Sequence, residues 1–158
     1  MEDAIDTAPA RAGTPWHLWV VGLLSLLWNA FGGYDYVMSQ LRDPAYLEQM
    51  MGPMGMSVEE SIAFLDSMPI WADVLWALGV WGSVAGSILL LLRSRHAVTA
   101  FMVSLVGAAL SFLYQMTIDL PPQMSEDPMA RFMPLVIVGA IVLQWWYARR
   151  QAASGVLR

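Results

Sequence analysis

Four apolar stretches of about twenty residues, none with a basic side chain through its middle, constrain this chain more than any other feature of it. A helix needs roughly 20 apolar residues to cross a ~30 Å hydrocarbon core, where only a helix or a closed barrel satisfies its own backbone. The spans expected are 16–36, 70–92, 98–118 and 129–148, inside a transmembrane domain over 15–149. All eight basic residues are arginine. Arg11, Arg93, Arg95, Arg149, Arg150 and Arg158 flank one side of the stretches, and Arg42 and Arg131 the other. Spans orient with the arginine-rich flank in the cytoplasm, so both termini are expected inside. The expected fold class is an all-α membrane protein: a four-transmembrane-helix bundle with a short helical outer loop, 42–68, between spans 1 and 2.

The acids sort the opposite way. Asp35, Asp43, Glu48, Glu59, Glu60, Asp66, Asp73, Asp119, Glu126 and Asp127 fall on the outer half, leaving Glu2, Asp3 and Asp6 inside. The net charge of -5 therefore describes one acidic face rather than an acidic soluble protein. A hydrophobic share of 58% against 13% charged points the same way. With no basic surface beyond short flanking pairs, nucleic acid is not an expected partner; the lipid bilayer is. The absence of cysteine excludes disulfides, thiolate nucleophiles and cysteine-ligated metals. The acidic start has neither the basic cluster nor the cleavage motif of a signal peptide. Residues 1–14 are expected to be a disordered cytoplasmic tail, and 150–158 a second cytoplasmic tail.

Local signals place the helix ends. Pro15 suits a first turn, with Trp16 and Trp19 as interface anchors. Arg93-Ser94-Arg95-His96 makes a tight turn between the second and third spans. Asp127 is a candidate N-cap of the fourth, which ends at Trp145-Trp146-Tyr147, and Pro134 is expected to kink it. In the loop, Asp43-Pro44 opens one short helix, Gly52-Pro53 ends it, and Ser57-Val58-Glu59-Glu60 has capping-box spacing for another.

Helices in lipid associate through close packing and polar contacts, because there is little hydrophobic drive between them. Gly22, Ser25, Asn29, Gly32 and Tyr36 recur at helical spacing along the first span. Gly79, Gly82, Ser83, Gly86 and Ser87 do so in the second, and Ala100, Ser104, Ala108, Ser111 and Gln115 in the third. The simplest arrangement packs these three faces together. A homodimer through the small pair Gly82 and Gly86 is the competing use.

Polar residues at membrane depth form the candidate site. Asn29, Asp35 and Tyr36 in the first span, Asp73 in the second, and Tyr114 and Gln115 in the third approach one level. Polar groups inside a bilayer are costly and tend to mark a site or a wet vestibule. One reading is an outward-facing polar pocket for a small polar solute or a cation. The other is that Asp35, Asp73 and Asp119 merely end spans in the wet interface, with the tyrosines as belt residues. His17 and His96 fall at the inner boundary and make a poor metal site without a carboxylate. No metal and no cofactor is expected, and no nucleophile–base pair or phosphate loop is recognisable, so an enzyme is not expected. The run Met50-Met51-Gly52-Pro53-Met54-Gly55-Met56 supplies soft thioethers suited to Cu(I), or simply adaptable packing.

The stretch from Leu27 to Tyr36, with Trp76 to Ser83 and the leucine-rich run into Arg93-Ser94-Arg95, resembles a family of small four-span bacterial inner-membrane proteins. The similarity covers roughly residues 15–150. Some members carry a "sugar transporter" label, and the family brings no active-site residues. It implies a multi-pass protein of a bacterial inner membrane. The expectation is a membrane component binding or passing a small solute as a homo-oligomer. An accessory subunit of a larger membrane complex is the alternative, and copper handling through the outer methionines a third.

Overall fold

A computed structural model describes residues 13–158. The tail expected over 1–14, with Arg11 and the three inner acids, lies outside the described residues except for Gly13 and Thr14. Seven helices make up the rest: α1 (Trp16–Gln40), α2 (Pro44–Met51), α3 (Val58–Ser67), α4 (Ile70–Leu91), α5 (His96–Gln115), α6 (Pro122–Glu126) and α7 (Pro128–Ala153). A single 3-10 turn, Gly52–Met54, joins α2 to α3. Among the described residues there is no strand.

Local chemistry starts these helices where the chain suggests. Pro15 stands one residue outside α1, extended at φ -69°, ψ 141°. The Asp43 carboxylate accepts from the Tyr46 amide at 2.8 Å and caps α2. Ser57 and Glu60 exchange reciprocal bonds of 3.1 and 2.8 Å, completing the capping box of α3. Asp127 accepts from the Met129 amide at 2.9 Å to open α7. That helix runs unbroken through Pro134, which removes the amide that Ala130 would otherwise bond.

The helix ends differ from expectation. α1 continues to Gln40 rather than 36, and α7 to Ala153 rather than 148, while α5 stops at Gln115 rather than 118. α1 and α4 each finish on an arginine in the left-handed conformation, Arg42 at φ 53° and Arg93 at φ 56°. Each lets the next amide reach back to close the last turn: Asp43 to Met38 at 3.2 Å, and Ser94 to Leu89 at 2.8 Å. A left-handed non-glycine costs about 1–2 kcal/mol. Arg42 offsets this by donating to the Ser39 carbonyl at 2.7 Å and pairing with Asp66 at 3.0 Å, which ties the end of α1 to α3.

α4 packs against both α5 and α1, and α5 also packs against α7. The α4–α5 contact is made backbone to backbone. A Cβ on Gly82 would stand 2.9 Å from the Ser104 nitrogen, and one on Gly107 would stand 2.6 Å from the Gly79 nitrogen. Gly86 meets the Phe101 ring, and the Ser104 hydroxyl donates to the Gly79 carbonyl at 2.5 Å. Gly82 and Gly86, weighed above for a dimer, thus face α5. In α1, Gly22 meets Leu91, but a Cβ on Gly32 would meet nothing within 4 Å. Its neighbour Gly33 is the buried one, against Val84 and Trp81. Gly32 is therefore not a packing position.

The arginine-rich end is closed by apolar side chains. Leu18, Leu90, Ala97, Phe101, Ala148, Val156 and Leu157 form one buried cluster. The last residues, expected as a tail, belong to it. After Gly155 (φ 74°) the chain turns back, and Arg158 and Arg95 exchange contacts with α4's exit: Arg158 N–H to Arg93 C=O at 2.7 Å, Arg95 N–H to Arg158 C=O at 2.8 Å.

Among the described residues three helices, α4, α5 and α7, are long and apolar enough to cross a membrane. They span about 30–39 Å at 1.5 Å per residue. α1 has the length, but His17, Asn29 and Asp35 interrupt its leucines. Beside that apolar cluster, polar side chains are buried while many large apolar ones stand exposed. Asn29, Ser83, Ser87, Ser104 and Gln144 are buried, whereas Leu24, Leu27, Phe31, Leu135 and Leu143 are exposed.

Candidate functional site

α1, α4, α5 and α7 enclose a cavity of about 390 Å³ in the half of the molecule away from the arginine-rich end. Trp28, Phe31, Trp76, Val80 and Phe112 face Met133, Ile137, Val138 and Ile141 across it. The polar residues in its lining are Asn29, Asp35, Ser83, Ser111 and Gln115, beside the indoles of Trp28 and Trp76. The expected polar pocket is instead a mostly apolar cavity with a few polar groups.

Asn29 is its most constrained member. It is buried, and its side-chain amide donates to the Ser83 carbonyl at 3.1 Å, the Ser87 hydroxyl at 2.8 Å and the Gln144 carbonyl at 3.0 Å. Ser87 in turn donates to the Ser83 carbonyl at 2.9 Å. One carboxamide thus joins α1, α4 and α7 beneath the cavity. Its two protons serve three acceptors, while no donor among the described residues meets its own carbonyl oxygen. Ser111 lines the cavity, but its Oγ is itself buried and has no hydrogen-bond partner among the described residues.

The six residues expected to share one pocket do not. Asn29, Asp35 and Gln115 line the cavity. Asp73 accepts from Gln40 and lines a second recess of about 200 Å³ with Arg42, Leu65, Asp66 and Trp76. Tyr36 packs edge-on to Trp76 at 4.9 Å, and Tyr114 edge-on to Trp71 at 4.7 Å, and neither lines the cavity. Burial of the helical faces separates these residues: they share a level along the helices but lie on different sides of them. Ser83, Ala108 and Ser111, expected as packing residues, do line the cavity.

Asp35 accepts a 2.7 Å hydrogen bond from the Tyr46 hydroxyl. Burial, and after it this bond, raises the Tyr46 phenol above its ordinary pKa. The pair holds α2 over the rim of the cavity. Asp119 is exposed, so the three acids do not converge. Among the described residues no group of three or more histidine or acidic side chains is placed to hold a metal ion. Of the methionine run, Met50 lines the cavity and Met56 is buried elsewhere. The histidines do not meet: His17 Nδ1 shares a 2.6 Å bond with the Tyr147 hydroxyl, and His96 is exposed.

Two determinants escaped sequence reasoning. Gln144 left a usable signal, a carboxamide amid Val142, Leu143 and Trp145. Gly107 left less, lying one residue off the stripe assigned to its helix. Comparison with family models, with curated proteins and with solved structures found no match to this chain.

Proposed function

We propose that this chain is a four-span membrane protein, α1 being the fourth span and both termini cytoplasmic, and that its cavity retains a small ligand within the membrane. The cavity itself carries this reading: about 390 Å³, apolar walls and a few inward polar groups, the usual make-up of a ligand site. The exposed leucines and phenylalanine of α1 favour lipid around it, and the buried polar residues favour an interior shared by all four long helices. The arginine clustering supports the orientation. The location proposed is a bacterial inner membrane, which is what the resemblance noted for Leu27 to Tyr36 and Trp76 to Ser83 implies.

Retention fits better than passage. Below the cavity the Asn29–Ser87–Gln144 contacts and the apolar cluster around Phe101 and Leu157 fill the path to the arginine-rich end. The test uses protein in lipid nanodiscs and a diazirine-bearing analogue of 1-decanol. Saturable photolabelling of Phe31, Met133 or Ile137 is expected. Gly32→Leu, which extends a side chain into open cavity space, should abolish it, while Gly139→Leu, equally unobstructed but away from the cavity, should not. Labelling that never saturates, or that survives Gly32→Leu, overturns the reading.

A further inference from the structure

The geometry points to a ligand class for this cavity: a neutral, single-chain amphiphile whose head donates a hydrogen bond, admitted sideways from the bilayer between α1 and α7. The inference rests on the reading of the cavity as a membrane ligand site. Three observations carry it.

The first is the unused hydrogen-bonding capacity. Asn29 is 5% exposed, and its N–H groups are committed to Ser83, Ser87 and Gln144, so what it offers the cavity is an acceptor. A head group that donates, such as an alcohol, satisfies the Asn29 oxygen; an ether or a bare hydrocarbon leaves it empty-handed.

The second is charge. No arginine lines the cavity, and the one acid there, Asp35, already accepts from Tyr46. An anionic head finds no counter-charge, and the apolar walls penalise any ion.

The third is access. α1 and α7 are joined by His17–Tyr147 and Asn29–Gln144, and beyond Asn29 the cavity separates them. Phe31 on one side and Ile137 on the other both line it and are 58% and 39% exposed, so the cavity is open rather than closed over. The cavity therefore reaches the lipid-facing side of the molecule. At about 30 Å³ per water-sized group it has room for on the order of a dozen heavy atoms, one slim chain rather than two.

Competition against the diazirine decanol probe in nanodiscs tests this. 1-Decanol should displace it at a concentration at least about five-fold lower than 1-methoxydecane or decane, the factor worth one hydrogen bond. Asn29→Ala, which removes the acceptor, should narrow that difference in protein whose folding is confirmed by circular dichroism. Equal displacement by alcohol, ether and alkane overturns the donor-head inference while the ligand cavity stands. Displacement led by decylammonium or by glucose overturns it in favour of an ion or a polar solute. Absence of any saturable labelling removes the cavity reading and this inference with it.

Discussion

Asn29 shows why a single carboxamide can organise a chain with so few charges. Its amide reaches α4 twice and α7 once, at distances between 2.8 and 3.1 Å, and the residue is buried. Hydrogen bonds between helices in lipid are worth about 0.6 kcal/mol on average and at most about 1.7. Asn29→Ala should therefore lower stability by roughly 1–2 kcal/mol, read from reversible unfolding in mixed detergent micelles. Asn29→Asp should cost more, because a carboxylate offers only acceptors to a site already built from the Ser83 carbonyl and the Gln144 oxygen. A stable Asn29→Asp protein would mean that the contacts to Ser83 and Gln144 carry little weight.

Among the helices, α4 and α5 form the tightest unit, because glycine and serine let their backbones touch. Gly107 is the narrowest point, with the Gly79 nitrogen and the Leu75 carbonyl both closer to a would-be Cβ than real atoms allow. Neither neighbour is a side chain that can swing away. Gly107→Ala should destabilise by about 1–3 kcal/mol, the usual cost of overpacking. Gly139→Ala, with nothing within 4 Å, should be neutral or gain up to about 1 kcal/mol from helix propensity. The same detergent titration distinguishes them, and equal effects at the two positions would contradict the close α4–α5 approach. The helix ends follow a similar logic: α1 and α4 spend strain on Arg42 and Arg93 where α7 uses Gly155.

The molecule taken whole separates into an apolar, sealed arginine-rich end and an acidic end covered by short helices, with the cavity between. Because the chain has no cysteine, single substitutions report topology directly. In intact bacterial cells expressing the protein, Glu59→Cys should react with a membrane-impermeant maleimide and Ser154→Cys should react only after permeabilisation. Reaction of both from outside would break the proposed orientation. The folded-back C-terminus adds a further consequence: Val156 and Leu157 are core residues, not a tail, so any fusion after Arg158 needs a flexible linker.

The apolar stretches of α4, α5 and α7, the caps at Asp43, Ser57 and Asp127, and the small-residue faces were all written locally, in neighbours three or four residues apart. Hydrogen bonding within a turn and helical periodicity depend on nothing farther away. Which face meets which helix is a different matter, and periodicity is silent about it. That is why spacing points to Gly32 where its neighbour Gly33 is the packed one, why Asp73 and Asp35 lie in separate recesses, and why Gln144 bonds a residue 115 positions earlier. Helix registry is set by contacts between distant segments, and the cavity exists only because four such registries leave a gap that none of the helices encodes alone.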